Sequence, residues 1–326
     1  MKILAIRFAR LGDVVLLLPA LRLLRERFPD SELTLLTGHR CAPIAELCPA
    51  IDKVIAVDRI AMRDGPVLRA LGGMASLVRN VRRQRFDLVV DFHSFRETNL
   101  LTWLSGATVR IGMKRRNAPY WQFCFTTAPV VEDKALHVAE MFQRVVANVP
   151  STDAPQKPPP SPPLGRVVVE KARLPTVVLY VDAPVPERIW PPERFAEVAD
   201  YVIETMRAAI VVISGHQGAD LAARVRSASR NADRLSILTD LDLPQLVATI
   251  ASAHLLISND TGPMHIGPAV GVPTLGLFSA GYPEHFRPMG AEDKFLRANP
   301  IEEIRVREVI EVIERMWATV DRGLRY

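Results

Sequence analysis

Three features of the sequence predict an α/β protein built from two parallel-sheet domains. Short β-branched runs alternate with stretches of helical periodicity along almost the whole chain. One segment, Pro150 to Gly165, is about half proline and interrupts that alternation near the midpoint. The 326 residues amount to about twice the length of a usual domain.

Taken in order, KILAIRF (2–8) predicts the first strand and VVLLLPALRLLRERF (14–28) the helix after it. ELTLLTG (32–38), KVIAVD (53–58), DLVVDFH (87–93) and TVRIG (108–112) predict further strands. Between them, residues 66–86 repeat Val67, Leu68, Leu71, Met74, Leu77, Val78 and Val81 at the three-four spacing of one helical face. Proline lacks an N–H and has a fixed φ, so 150–165 can be neither helix nor internal strand. The expected division is a domain over 1–149, a stiff linker over 150–165 and a domain over 166–326. Past the linker the alternation resumes with TVVLYV (176–181), AAIVVIS (208–214), RLSILT (234–239), HLLIS (254–258) and PTLGLF (273–278). A final helix over about 302–320 keeps Val306, Val309, Ile310, Ile313, Met316, Trp317 and Val320 on one face. Strands alternating with helices imply parallel sheets covered on both sides, hence two Rossmann-like domains facing a cleft. Ligands of such sheets bind beyond the carboxyl ends of the strands, so chemistry is sought in the strand-to-helix turns.

Composition narrows the function classes. With 48% hydrophobic and 24% charged residues the chain can bury sizeable cores. Cys41, Cys48 and Cys124 form no C-x-x-C pair and leave one over, which predicts a reducing cytoplasm rather than a disulfide framework or cysteine zinc site. Arg7, Arg10 and Asp13 interrupt the apolar start, so it is not read as a signal peptide, and the expectation is a soluble intracellular protein. Residues 1–150 hold 22 Lys and Arg against 14 Asp and Glu; the remainder holds 19 against 22. A basic first half fits an anionic partner: a phosphorylated substrate, a membrane face or nucleic acid. It equally fits a merely soluble basic surface. The basic residues are not interleaved with stacking aromatics, which argues against nucleic acid.

The first turn, RFARLGDVV, has a single Gly12 followed by Asp13, where a dinucleotide site would place G-x-G-x-x-G. An acid there would repel a diphosphate. Asp13 is either an N-cap or a carboxylate at a cleft edge, able to take a proton from a hydroxyl. In the second domain, SNDTGPMHIGPAVGVPTLGLF (258–278) packs Asp260, Thr261, Gly262, Pro263, Met264 and His265 into one turn. Gly262 allows a tight turn and Pro263 suits the first helical position, so the amides of that turn predict an anion site. Thr261 adds a hydroxyl, Asp260 an acceptor for sugar hydroxyls and His265 a donor. The plainer reading is a capped helix with a satisfied histidine. Arg188, just before the helix start at Pro191 and Pro192, is either a diphosphate clamp or a surface arginine beside a packed Trp190. His39, His93, His137, His216, His254 and His285 show no paired ligand spacing, and no metal or other cofactor is expected.

Together, GDVVLLLPALRLLRERFPDSELTLL, DLVVDFHSFRETNLLTWLSGATVRIG, RIWPPERFAEVAD and the 258–278 turn resemble the ADP-heptose:lipopolysaccharide heptosyltransferases, glycosyltransferase family nine. These segments run in order over most of the chain. The resemblance implies a GT-B fold, with the last helix returning toward the first domain. It also implies an inverting, metal-independent transfer from a nucleoside-diphosphate sugar, bound by the C-terminal domain, to a lipopolysaccharide core or related glycolipid. By the family's motifs Asp13 is the general base. Arg188, Asp260, Thr261, Gly262, Met264 and His265 lie around the donor sugar and diphosphate, and Leu241 beside the adenine. Arg10, Arg96 and Arg110 are the acceptor-binding candidates. Arg79, Arg82, Arg83 and Arg85, with Lys114, Arg115 and Arg116, are candidates to meet acceptor phosphates or the inner face of the cytoplasmic membrane, and the 79–85 group equally fits a simple solvated helix face. Many members carry a Pro-Gly-Ala/Thr-Ser-like turn where this chain reads LYVDAPVPERIW, with Asp182 in place of small residues. That departure keeps open a different nucleotide sugar, an epimerase, or a catalytically silent sugar-nucleotide-binding relative.

Overall fold

The computed structural model describes residues 1–58, 67–150, 163–164, 174–279 and 281–324. The chain divides into two compact units, Met1–Pro163 and Leu164–Tyr326. The expected linker falls almost wholly outside the described residues.

The first unit has strands β1 (Lys2–Arg7), β2 (Glu32–Gly38), β3 (Lys53–Val57), β4 (Leu88–Asp91), β5 (Val109–Lys114) and β6 (Val130–Val131). Its helices are α1 (Leu11–Val15), α2 (Leu18–Arg27), α3 (Ala42–Glu46), α4 (Val67–Gln84), α5 (Arg96–Leu104) and α6 (Val138–Ala147). Every strand pairing is parallel, in the order β3-β2-β1-β4-β5-β6. This is the doubly wound order of nucleotide-binding folds. The sequence predicts one helix after β1, but two form. Pro19 offers no N–H to the preceding turn, so the chain breaks at Leu16–Leu17 and restarts as α2. Leu4, Ile6, Phe8, Val89, Leu77, Val81 and Leu101 fill one face of the sheet. On α2, Arg27 Nη1 donates to the Val146 carbonyl (3.0 Å) at the end of α6.

The second unit repeats the plan. Its strands are β7 (Thr176–Tyr180), β8 (Ala209–Ser214), β9 (Leu235–Thr239), β10 (Leu255–Asn259), β11 (Thr274–Phe278) and β12 (Lys294–Arg297). Its helices are α7 (Pro192–Tyr201), α8 (Ala219–Ala228), α9 (Leu243–Ser252), α10 (Ile266–Val270), α11 (Pro283–Phe286) and α12 (Val306–Leu324). The order β12-β11-β10-β7-β8-β9 is again parallel throughout and is the same doubly wound arrangement. The apolar face of α12 (Val309, Ile313 and Met316) joins Trp190, Phe195 and the β7–β8 strands in one core. Two edge strands, β6 and β12, escape the sequence reading. β6 is two residues long, and β12 is mostly exposed with Lys294 and Arg297 at its ends, the blunted character expected of an edge. Cys41, Cys48 and Cys124 are buried free thiols, and burial raises the Cys41 pKa to about 11. Among the described residues no helix is long and apolar enough to cross a membrane.

Candidate functional site

Each sheet reverses its winding beside its first strand, and the crevice beyond that point is where doubly wound folds take their ligands. In the first unit the reversal lies between β1 and β4. Arg7, the last residue of β1, is buried and spans both turns. Its Nη1 donates to the Phe92 carbonyl (2.9 Å) just past β4, and its Nη2 to Asp13 Oδ1 (2.6 Å). The Phe142 ring backs the guanidinium at 4.9 Å. Asp13 is not an N-cap. Arg10 holds that place and Asp13 is the third residue of α1, so its carboxylate is fixed by Arg7 instead of by the helix amides. The Arg7 side chain is 5% exposed and that of Asp13 is 30% exposed, so the carboxylate is the member of the pair that meets solvent.

The turn after β4 is shaped by Asp91. Its buried carboxylate accepts from the His93 and Ser94 amides (2.9 and 2.8 Å) and from Asn99 Nδ2 (3.3 Å). Burial outweighs these bonds and raises its pKa to about 6. The same turn presents the His93 carbonyl to Arg115 Nε (2.8 Å), and the Arg115 guanidinium lies 4.8 Å from the Phe95 ring centre. Burial and then the Arg7 charge lower the Arg115 pKa, while Glu132, Asp13 and Asp91 oppose that shift.

In the second unit the reversal lies between β7 and β10, and the polar turn 258–265 is what occupies it. Asn259 ties the two turns together: its Nδ2 donates to the Val181 carbonyl (2.9 Å) and its Oδ1 accepts from the Trp190 amide (3.1 Å). Arg188 Nη1 lies 3.1 Å from Asp260 Oδ2 and 3.3 Å from the Asp260 carbonyl. The Asp260 side chain is 9% exposed and that of Arg188 is 37% exposed. Burial raises the Asp260 pKa and the guanidinium opposes it. Gly281 closes over this pair. A Cβ there would stand 2.7 Å from Asp260 Oδ2, so a side chain would force the carboxylate or the loop to shift.

Several expectations change with the structure. Met264 is fully buried, its sulfur against Gly276 of β11, so its side chain packs in the core. The amides of the 262–265 turn are fewer than the sequence suggests. Pro263 has none, and the Met264 N–H already donates to the Thr261 carbonyl (3.1 Å). Thr261 and Gly262 are half-buried at the turn, while His265 is buried just behind it. Leu241 is half-buried past the carboxyl end of β9, where the Asp242–Gln245 capping box fixes the turn. Arg10 and Arg96 are exposed at the starts of α1 and α5, on the ligand end of the first sheet. Arg110 is not. It sits near the amino end of β5, its Nε donating to the Cys124 carbonyl (2.9 Å) and its Nη1 to the Ala107 carbonyl. Arg79, Arg82, Arg83 and Arg85 are exposed, but Arg82 and Arg83 close α4 and Arg85 follows it just before β4, so these three also occupy the amino end. Only Arg115, from the second basic group, is drawn into the crevice turn.

Residues the sequence reading passed over include Arg7, Asp91 and Asn259. Each ends or directly follows an apolar strand run, and a polar residue at the carboxyl end of a parallel strand was the signal available. Asp182, noted as a departure, reaches the turn after β8. Its Oδ2 accepts from the Gly215 amide (3.2 Å) past β8. Next to it, burial and the Asp182 charge raise the Tyr180 pKa to about 12, which leaves a neutral hydroxyl.

The family model for glycosyltransferase family 9 (heptosyltransferase) matches residues 74–311. The chain belongs to this family. It is therefore a glycosyltransferase, with the two-sheet GT-B fold. Among its relatives, lipopolysaccharide heptosyltransferase 3 of Escherichia coli is 24% identical, covering 82% of this chain and 81% of the relative. Lipopolysaccharide heptosyltransferase 1 of Pseudomonas aeruginosa is also 24% identical, over 87% of this chain and 80% of its own length. In structure, the E. coli heptosyltransferase WaaC with ADP superposes with a TM-score of 0.82 at 17% identity, covering 97% of this chain and all of the other (100%).

Proposed function

We propose that this glycosyltransferase moves a heptose or closely related sugar from a nucleoside diphosphate, ADP in the first instance, to a hydroxyl of a lipopolysaccharide core or similar anionic glycolipid. The observation that carries this reading is the opposite polarity of the two Arg–Asp pairs. The first unit exposes a carboxylate held by a buried arginine; the second exposes a guanidinium held by a buried carboxylate. An inverting displacement needs one of each. The acceptor O–H gives its proton to Asp13 as its oxygen bonds to the anomeric carbon, and the anomeric C–O bond breaks with its electron pair leaving on the diphosphate. Arg7 keeps Oδ1 of Asp13 fixed, and Oδ2 is assigned to the proton. Arg188, the Thr261 hydroxyl and His265 stabilise the departing charge without a metal step. Asp260 orients Arg188 and is not the base, since its side chain is 9% exposed against 30% for Asp13. Arg10, Arg96 and Arg115 are assigned to acceptor phosphates. The ADP-bound relative in structure and the lipopolysaccharide heptosyltransferases among the sequence relatives support the choice of donor and acceptor.

The test is acceptor-dependent ADP release. The protein is incubated with ADP-heptose and a heptose-deficient lipopolysaccharide core, and release of ADP is matched to a heptose-sized mass gain on the acceptor. ADP released equally without acceptor would point to a hydrolase or epimerase, and binding without turnover to a silent relative.

Contact with an anionic membrane is part of the same proposal. Trp103 and Phe123 are 47% and 63% exposed, with ring centres 6.1 Å apart, and Leu100 and Arg96 share the outer face of α5 with Trp103. Aromatic and basic side chains together are what a bilayer interface selects. Replacing Trp103 and Phe123 by Ser is expected to weaken binding to vesicles containing anionic lipid severalfold, and unchanged co-sedimentation would remove this part of the reading.

A further inference from the structure

The departure at Asp182 has a definite structural outcome. Asp182 follows β7, the first strand of the second sheet, yet its carboxylate reaches sideways to the turn after β8, the second strand. Oδ2 accepts the Gly215 N–H at 3.2 Å. The turn it meets is Gly215-His216-Gln217-Gly218, and it is Gly218 that leaves room for the carboxylate, with Gly215 in tight contact. A Cβ on Gly218 would stand 2.5 Å from Asp182 Cγ, and one on Gly215 would stand 3.0 Å from Oδ2 and 3.9 Å from the Tyr180 hydroxyl. Among the described residues Oδ1 carries no hydrogen bond, and Asp182 is half-buried rather than sealed.

In doubly wound nucleotide-binding sheets an acid at the end of the second strand hydrogen-bonds the ribose hydroxyls. In this chain β8 ends in Ser214 and runs into Gly215, so the strand brings no acid of its own to that point. While the more exposed Asp240, past β9, lies 3.6 Å from His216 Nδ1 in the same turn, the carboxylate that meets the Gly215 amide comes from β7. A neutral tyrosine hydroxyl lies beside it, and the phosphate-seeking Arg188 is held on the other side of the crevice by Asp260.

We propose that Asp182 is a specificity-determining residue that reads the ribose hydroxyls of the nucleotide donor. The inference rests on the donor assignment made above. Oδ2 is anchored by Gly215, and Oδ1 accepts from the ribose. The Asp182 charge is thereby used on the nucleoside, with the diphosphate left to Arg188 and Thr261. A carboxylate filling this turn also excludes phosphate from it, so a 2′-phosphorylated nucleotide is rejected.

The experiment is calorimetric titration of the full-length protein with ADP, GDP, UDP and CDP and with their 2′,3′-dideoxy counterparts. It is run on the native protein, Asp182→Ala and Gly218→Ala. For the nucleotide that binds native protein, loss of the ribose hydroxyls is expected to weaken binding about tenfold or more, the scale of a hydrogen bond to a charged group. In Asp182→Ala that preference collapses to within about twofold. Gly218→Ala, whose methyl displaces the carboxylate without removing it, reduces the preference in the same way. Equal binding of ribo and dideoxy forms by native protein overturns the inference while leaving the donor assignment standing. So does a full preference surviving in Asp182→Ala, or a ribonucleotide that binds that variant more tightly. If Asp182→Ala does not fold, Gly218→Ala decides, and an undiminished preference there is the overturning result. Absence of binding by every nucleoside diphosphate overturns the proposed function, and this inference with it.

Discussion

Two regions of this molecule solve the same problem with opposite signs. Both sheets have the doubly wound order, both place an Arg–Asp pair where the winding reverses, and both tie the pair to the neighbouring strand-to-helix turn. In the first unit the arginine ends a strand and is sealed beneath Phe142, so the aspartate is offered to solvent. In the second the aspartate follows the strand and is sealed under Gly281, so the arginine is offered. The difference teaches that the ion pair itself is not the functional unit. Burial of one partner supplies a fixed counter-charge, and the other partner is the one that meets solvent.

That comparison can be broken in three ways. The largest effect is expected at the first pair: Asp13→Asn should lower kcat by about 10²–10⁴ while donor affinity changes less than about twofold, because a base is needed only in the displacement. Steady-state kinetics beside calorimetric donor titration checks this, and unaltered turnover would refute the base assignment. At the second pair the signature is reversed. Arg188→Ala should weaken nucleoside-diphosphate binding by about 10- to 100-fold, with Arg188→Lys retaining part of it, since charge survives but the fork to Asp260 does not. An Arg188→Ala protein that binds donor normally but turns over slowly would mean that the two units do not divide the labour as argued.

The smallest expected effect sharpens the comparison by asking what shapes the first site. Asp91 has its pKa raised from 3.8 to about 6 by burial, so the folded state binds the proton more tightly than the unfolded chain does. Its contribution to stability is then fully present below about pH 4 and is lost as pH rises through about 6. Relative to Asp91→Asn, the native protein should gain stability as the pH is lowered from 7 to 4.5, by at most about 3 kcal/mol. Denaturant unfolding at several pH values measures this, and a pH-independent gap between the two proteins would show that Asp91 is not held in this way. Because the Asp91 turn carries the carbonyls that fix Arg7 and Arg115, kcat in that variant should fall more than donor affinity.

Much of this was legible in the residues. The alternation of strand and helix predicted parallel sheets because only a crossover helix can return the chain to a parallel neighbour. That Asp13, Arg188 and the 258–265 turn lie past the carboxyl ends of strands was legible because each follows an apolar strand run. What went unread were short edge strands with few apolar residues, and side chains whose role depends on a partner far along the chain. Arg110 and the arginines at the end of α4 were misplaced because charge alone does not say which end of a sheet it occupies; the position of Arg110 within β5 does. Met264 shows that a residue inside a polar motif can still point inward.

By itself, the order of residue types determined the two-unit α/β plan, the turns where chemistry could gather, and the family. Only the tertiary structure decided which member of each Arg–Asp pair faces solvent, that Asp13 answers to Arg7 rather than to a helix end, and that the Asp182 carboxylate crosses to the turn of the next strand. The physical reason is that periodicity and turn preferences act over a few neighbouring residues. Burial and hydrogen bonding join residues as distant as Arg7 and Phe92, or Arg188 and Asp260, and the environment of a charge exists only once the sheet is assembled.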